Sequence, residues 1–232
     1  MKAGRRDKTE GGFTLLEMVL VLAIIAVLAA IFLPLGMNQL READLTKANA
    51  DVQQIAASLT QFFKDLRYMP ACNAADCDPR ISTGVGDTNN LKFLAVVEGS
   101  GDPSGKYPPE LSTLTTAWGL AAADEATPAK NDLFNHVVLN NPNTDANLGE
   151  AGKDYTTTGM RRWKGPYVSR LGGDPWGNAY IVSIGAMEAD GTRLVANAKG
   201  WIISAGPNGI LETEPDGTIL GGDDIGMIFF QE

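Results

Sequence analysis

The longest apolar run of the chain extends from Phe13 to Leu35 and reads FTLLEMVLVLAIIAVLAAIFLPL. Among its 23 residues, only Thr14 and Glu17 are strongly polar. A helix of this length is about 35 Å long, which is enough to cross a hydrocarbon core about 30 Å thick. The run therefore predicts a transmembrane helix over residues 13–35.

The charges around this run predict its orientation. Basic side chains precede it, at Lys2, Arg5, Arg6 and Lys8. Because basic flanks stay in the cytoplasm, the residues after Leu35 should lie on the other side of the membrane. The alternative is a cleaved secretory signal with small residues at 26–30. The length of the run and Glu17 count against it, because a carboxylate at the centre of a membrane helix costs about 2 kcal/mol or more.

After Gly36 the pattern becomes amphipathic. Apolar side chains recur every three or four residues, at Leu45, Ala48, Val52, Ile55, Leu59, Phe62 and Leu66. This spacing predicts a helix over residues 36–69 with one apolar face, packed on its own domain or forming a coiled-coil seam. Pro70 should end the helix. We expect a kink or local melting where Pro34 and Gly36 join the two parts.

The remainder predicts a head of mixed structure. Strand-like runs occupy its last third, at 178–184, 193–196, 201–204 and 225–230, with a hairpin signal at Asp190-Gly191. Asp174-Pro175-Trp176-Gly177 has the residues favoured in a type I turn. In the centre, residues 93–97 resemble a strand, and 111–125 and 130–139 look helical. A long helix followed by a small antiparallel sheet is an α+β arrangement.

Composition narrows the chemistry. The chain has 19 basic and 28 acidic residues, and residues 1–12 hold four of the basic and two of the acidic ones. The remainder is therefore strongly acidic, and no nucleic-acid binding is expected. One histidine and two cysteines leave little material for histidine-based catalysis or a zinc site, so no enzyme activity is expected. Residues 98–107 resemble a phosphate loop but carry Ser100 and Tyr107 at positions that its motif excludes.

Cys72 and Cys77 lie just after the predicted stalk helix. A zinc site would need two more ligands, and the spacing does not fit a redox CxxC motif. In an oxidising compartment the two residues predict a short-loop disulfide, with two free thiols as the alternative.

The residues Gly12-Phe13-Thr14-Leu15-Leu16-Glu17, with a basic leader before them and Pro34 after them, resemble the prepilin signature. This signature belongs to type IV pilins and type II secretion pseudopilins. The resemblance implies that a membrane peptidase cuts after Gly12, that Phe13 is then N-methylated, and that Glu17 and Pro34 act in assembly. In a filament, the new ammonium at Phe13 could neutralise Glu17 of a neighbour, because a paired buried charge costs far less than an isolated one.

Four carboxy-terminal blocks are similar to those of major (G-type) pseudopilins: residues 163–167, 174–178, 204–209 and 222–225. The resemblance implies the pilin fold, with a long amino-terminal helix packed on a small antiparallel sheet and a loop-rich carboxy-terminal region. It also implies the domain boundaries: leader peptide 1–12, transmembrane and assembly helix 13–35, amphipathic stalk 36–69 and periplasmic head 70–232. Typical members are shorter, so residues 78–160 resemble an insertion, followed by a pseudopilin-like part at 161–232.

The chain between Ser204 and Ile225 is rich in glycine and in oxygen donors. Calcium takes roughly six to eight oxygens and accepts main-chain carbonyls, so this composition suits it. No EF-hand spacing is present, and a solvated acidic loop is the alternative. G-type pseudopilins bind calcium in the matching loop, and the resemblance implies a calcium ion held by Asn208, Asp223 and Asp224. Asn208 stands where an aspartate is usual, which should lower the affinity.

The resemblance implies a structural subunit of a pilus-like filament, a pseudopilin of a type II protein secretion-like system. Its partners would be copies of itself, other pilin-like subunits, a prepilin peptidase/N-methyltransferase, and an inner-membrane assembly platform with a separate ATPase. It would lie in the bacterial inner membrane with a periplasmic head, and after assembly in a periplasmic pseudopilus or a surface pilus. The alternatives are a type IV pilin or minor pilin for adhesion, motility or DNA uptake, and a membrane-tethered periplasmic enzyme or binding protein.

Overall fold

The structure is a computed structural model that describes residues 12–67, 69–70, 93–97, 103–114, 118, 120, 131–142, 144, 154–184 and 199–231. The chain divides into two compact units, Met1–Asp44 and Leu45–Glu232. Helix α1 spans Leu15–Leu66 and begins in the first unit. Cys72, Cys77, the hairpin signal at 190–191 and the strand predicted at 193–196 lie outside the described residues.

The amino-terminal part of α1 is apolar and exposed. An 18-residue window of the helix reaches a mean hydropathy of 3.1, and the helix is long enough to cross a membrane. Its large apolar side chains are exposed, Leu15 and Leu16 among them. Such a surface suits lipid or the apolar faces of other helices. The helix continues through Pro34 and Gly36, so the predicted local melting is wrong.

The second half of α1 packs on the head through the predicted apolar face. Six of the seven stripe residues are buried: Ala48, Val52, Ile55, Leu59, Phe62 and Leu66. The helix ends at Leu66, before the predicted end at residue 69. Arg67 has φ +67° while its N–H still donates to the Phe63 carbonyl (2.7 Å), so the left-handed conformation of Arg67 stops the helix before Pro70 does.

Four antiparallel strands form one sheet in the order β1-β2-β3-β4. They are β1 (Phe93–Val96), β2 (Tyr180–Ser183), β3 (Lys199–Ser204) and β4 (Ile225–Gln231). One sheet face, including Tyr180 and Ile202, packs on α1. The opposite face, including Ile181 and Trp201, is covered by Trp118 and other loop residues. The α+β class is confirmed, and β1 belongs to the segment that resembles an insertion.

The strands predicted at 178–184, 201–204 and 225–230 are confirmed with small changes of bounds, and the strand-like residues before the excluded phosphate loop form β1. Helical structure is confirmed within 130–139, where Asn135–Leu139 form a π-helical segment. The helix predicted at 111–125 is wrong in its described part, since residues 111–114 form a turn. The reason is tertiary: the Leu111 N–H donates to the Leu211 carbonyl (2.9 Å) and so belongs to a contact with a distant loop.

Candidate assembly motif and carboxy-terminal loop site

The residues predicted to act in processing and assembly, apart from Pro34, lie at or just before the start of α1. Gly12, Phe13 and Glu17 are exposed. The hydroxyl oxygen of Thr14 accepts a hydrogen bond from the Glu17 N–H (3.2 Å), which is the arrangement of a helix N-cap. The Gly12–Phe13 bond therefore immediately precedes the cap, and the Glu17 carboxylate lies in the first turn of the helix. Pro34 lies inside the same helix.

The second site lies in the carboxy-terminal loop, which we define as residues 205–224 between β3 and β4. Asp223 Oδ2 accepts a hydrogen bond from the Asn208 N–H (3.0 Å). Asn208 Oδ1 accepts from the Ile210 N–H (2.6 Å), and Asn208 Nδ2 donates to Glu212 Oε2 (3.0 Å). The fold thus brings Asn208 and Asp223 together across the loop and adds Glu212, which sequence reasoning did not single out as a ligand.

Asp224 is anchored through one carboxylate oxygen. Its Oδ2 accepts hydrogen bonds from the Glu212 N–H (2.9 Å), the Thr213 N–H (2.7 Å) and the Thr213 hydroxyl (2.7 Å). The side chain is 7% exposed. Burial raises the pKa of Asp224, the hydrogen bonds from Thr213 and Glu212 lower it, and the nearby Glu212 charge raises it; the net direction is upward.

Two carboxylate oxygens in this loop lack a hydrogen-bond partner among the described residues. They are Asp223 Oδ1 and Asp224 Oδ1, and both are buried. A buried carboxylate oxygen is costly unless a donor or a cation satisfies it, so these residues fit a hard cation such as calcium. The described part of the chain contains no group of three or more His, Cys, Asp or Glu residues able to hold a metal. The Asn208 amide and main-chain carbonyls would therefore have to supply further oxygens.

The turn at residues 174–177 supports the end of β3 beside this loop. Asp174 Oδ1 accepts hydrogen bonds from the N–H groups of Trp176 (3.1 Å) and Asn178 (2.7 Å), and Asp174 Oδ2 accepts from the Ser204 hydroxyl (2.7 Å). The Gly177 N–H donates to the Asp174 carbonyl (3.2 Å), as predicted for a type I turn. Burial raises the pKa of Asp174 although these donors oppose it.

The block at residues 163–167 fastens the head to the end of α1. Lys164 Nζ lies 2.6 Å from Asp65 Oδ1, and Asp65 is only 7% exposed. Burial would raise the pKa of Asp65, but the hydrogen bond and charge of Lys164 outweigh it, and the pKa is lowered. Tyr167 also bonds Asp65; burial and this carboxylate raise the pKa of Tyr167 to about 12. No signal in the sequence indicated that Asp65, which lies next to the apolar stripe, pairs with Lys164.

Comparison with known proteins gives matches for part of the chain. Residues 7–33 match the family model described as the prokaryotic N-terminal methylation motif. The chain is 36% identical over 58 residues to the type II secretion system core protein G of Pseudomonas aeruginosa. This alignment covers 25% of the chain and spans 41% of that relative's length. No solved structure matches the chain significantly.

The apolar amino-terminal helix and the methylation motif fit a membrane-anchored subunit with a periplasmic head. The long helix and the four-stranded antiparallel sheet fit the pilin arrangement of elements. The motif, the similarity to a secretion core protein and the α+β fold together support membership of the type IV pilin-like, or pseudopilin, family.

Proposed function

We propose that this chain is a structural subunit of a type II secretion-like pseudopilus, processed by a prepilin peptidase and assembled from the bacterial inner membrane. The observation that carries the proposal is the apolar helix that begins at Leu15, within the residues that match the methylation motif, and contains a single carboxylate, Glu17, within its apolar run. Before assembly, the subunits lie in the bilayer. Assembly replaces their contacts with lipid by contacts between helices. A separate assembly platform and ATPase supply the work.

In this proposal, Glu17 sets the axial alignment of neighbouring subunits. Cleavage after Gly12 leaves a positive charge at Phe13, and methylation keeps that charge. When two subunits pack together, the ammonium of one pairs with Glu17 of its neighbour, and each compensates a charge that is expensive in an apolar environment. A subunit shifted along the axis would leave both charges buried without partners.

The proposal includes a structural calcium ion in the carboxy-terminal loop. Asn208, Asp223 and Asp224 would hold it, with main-chain carbonyls completing the oxygen set. The two buried carboxylate oxygens that lack hydrogen-bond partners within the described part of the chain support this assignment. The ion would supply positive charge that offsets the repulsion among the loop carboxylates, and so would fix the conformation of the loop.

A type IV pilin or minor pilin is the second candidate, because the methylation motif is shared by both groups. The similarity to a type II secretion core protein favours the first candidate. A membrane-tethered enzyme or binding protein accounts less well for Glu17, since a simple tether gains nothing from a carboxylate in an apolar run.

The decisive experiment compares Glu17→Val with wild type in cells that supply the peptidase, platform and ATPase of a type II secretion system. We expect wild type to form filaments that can be recovered by mechanical shearing of the cells. The variant should remain in the membrane fraction in normal amount but form none. Glu42→Val, which removes an exposed carboxylate from the same helix beyond the apolar run, is the matched control and should assemble.

Normal filaments from Glu17→Val would show that the carboxylate does not pair during assembly. Filaments that form only with the machinery of a type IV pilus would favour the second candidate.

A further inference from the structure

The central segment 109–120, described at residues 109–114, 118 and 120, lies against the carboxy-terminal loop. The Leu211 N–H donates to the Pro109 carbonyl (2.9 Å), and the Leu111 N–H donates to the Leu211 carbonyl (2.9 Å). Glu110 and Leu211 thereby form an isolated parallel bridge. Both backbone groups of Leu211 are thus held by a segment about a hundred residues earlier in the chain.

A tryptophan from the same segment holds the next part of the loop. Trp118 Nε1 donates to the Thr213 carbonyl (2.7 Å), and the Trp118 side chain is 6% exposed. The Glu110 carboxylate accepts hydrogen bonds from the Trp118 N–H (3.0 Å) and the Leu120 N–H (2.9 Å), which fixes the backbone that carries the indole. Trp118 and Leu211 also share an apolar cluster on the sheet face opposite α1.

Glu212 and Thr213, which directly follow Leu211, are at the same time the donors that orient Asp224. The Thr213 N–H and hydroxyl and the Glu212 N–H all bond Asp224 Oδ2. The central segment therefore bonds the backbone of Leu211 and the Thr213 carbonyl. The Asp224 carboxylate bonds other groups of the same stretch, which belong to Glu212 and Thr213. Because Oδ2 is fixed in this way, the position of the buried Oδ1 of Asp224 is restricted as well.

We infer that the central segment 109–120 is a preorganising clamp for the ion site, and that Trp118 is a positioning residue for Asp224. This inference rests on the calcium assignment proposed above and adds a role for the part of the chain that resembles an insertion. A fixed carboxylate loses less conformational freedom when a cation binds, so the clamp raises affinity. This gain offsets part of the calcium affinity that is lost because the site has Asn208 rather than an aspartate.

The test is Trp118→Phe in the full chain in detergent, with calcium binding measured by titration calorimetry and amide hydrogen exchange measured without calcium. Phenylalanine keeps most of the apolar contact and removes the donor to Thr213. We expect calcium to bind roughly tenfold more weakly, as for the loss of other groups that orient metal ligands. Residues 211–213 should exchange faster than in wild type.

Trp163→Phe is the matched control. Trp163 Nε1 also donates to a backbone carbonyl, that of His136 (3.0 Å), but Trp163 packs in the cluster that faces α1. Its loss should lower the melting temperature without changing calcium affinity or exchange at 211–213.

Three results would overturn the inference: unchanged affinity in Trp118→Phe, equal weakening in both variants, or unchanged exchange at 211–213. If wild type binds no calcium, the calcium assignment is wrong, and so is the proposed effect of the central segment on calcium binding. Amide hydrogen exchange still shows whether the central segment orders residues 211–213.

Discussion

The two carboxylate oxygens of Asp224 lie in different surroundings. One of its oxygens accepts three hydrogen bonds, while the other is buried without a partner among the described residues. The upward shift of its pKa has burial as its main cause, which means that the ionised form is costly in this position. A bound cation would remove that cost.

Calcium should therefore stabilise the full chain in detergent. At a concentration one hundred times the dissociation constant, mass action adds about 2.7 kcal/mol to the free energy of unfolding. Asp224→Ala should abolish the rise in melting temperature, and Glu214→Ala, in the same loop, should leave it largely intact. A thermal melt with and without millimolar calcium measures this. No rise in wild type, or an equal rise with magnesium, would favour the solvated-loop interpretation.

At the scale of elements, the loop depends on a close approach between its two ends. Gly206 has φ +63°, and a Cβ at this position would collide with the Asp223 carbonyl oxygen. The glycine follows β3 and Asp223 immediately precedes Asp224, so this contact fixes how the loop closes. A side chain at 206 would have to move the backbone that carries both aspartates.

Gly206→Ala should accordingly lower the free energy of unfolding by roughly 1–3 kcal/mol and weaken any calcium binding, because the backbone is strained and crowded there. Gly105→Ala is the control, since nothing lies within 4 Å of a Cβ at that position. Denaturant unfolding of both variants gives the comparison. Equal stabilities for the two variants would show that the loop closes without this contact.

The ion pair between α1 and the 163–167 block predicts a specific pH dependence. The pKa of Asp65 is lowered from its ordinary value of 3.8, so its stabilising contribution is complete above that value and is lost as the pH falls through the lower folded value. Lys164→Met leaves the buried carboxylate without its cation and should cost about 1–3 kcal/mol at neutral pH.

Melting temperatures of wild type and Lys164→Met should differ at pH 7 and converge as the pH falls well below 3.8. Lys106→Met, at an exposed lysine of the 3₁₀ turn Ser104–Lys106, serves as the control and should behave like wild type throughout. A difference that stays constant with pH would mean that Lys164 acts through packing rather than charge.

At the scale of the whole molecule, the chain combines an exposed apolar helix with an acidic head. The first half of α1 exposes its apolar side chains, and the chain carries a net charge of −9. The apolar segment suits a bilayer or a helical filament core, and the acidic head suits water outside it.

The chain isolated from membranes should begin at N-methylated Phe13, because the residues around Gly12 match the prokaryotic N-terminal methylation motif. Intact-mass and peptide mass spectrometry of the membrane-extracted protein measures the terminus. Gly12→Val should leave the leader attached, whereas Gly11→Val should be processed. A terminus at Met1, or cleavage near residue 30, would contradict the prediction.

The sequence by itself determined the features that depend on local pattern. The apolar run and the residues from Gly12 to Glu17 predicted the anchor and the family, because length, hydropathy and a contiguous motif need no distant partner. The three-four spacing predicted which face of α1 is buried, and short strand-like runs predicted the strands. These local patterns did not predict that Asp65 pairs with Lys164.

Only the tertiary structure decided what depends on contacts between distant residues. It replaced the helix expected after Leu111 with a turn, because the Leu111 N–H donates to the Leu211 carbonyl. It also showed that Asp224 points one oxygen at Thr213 and leaves the other buried. The physical reason is that hydrogen bonds and burial at these positions are supplied by segments far away in the chain, and local propensity carries no information about them.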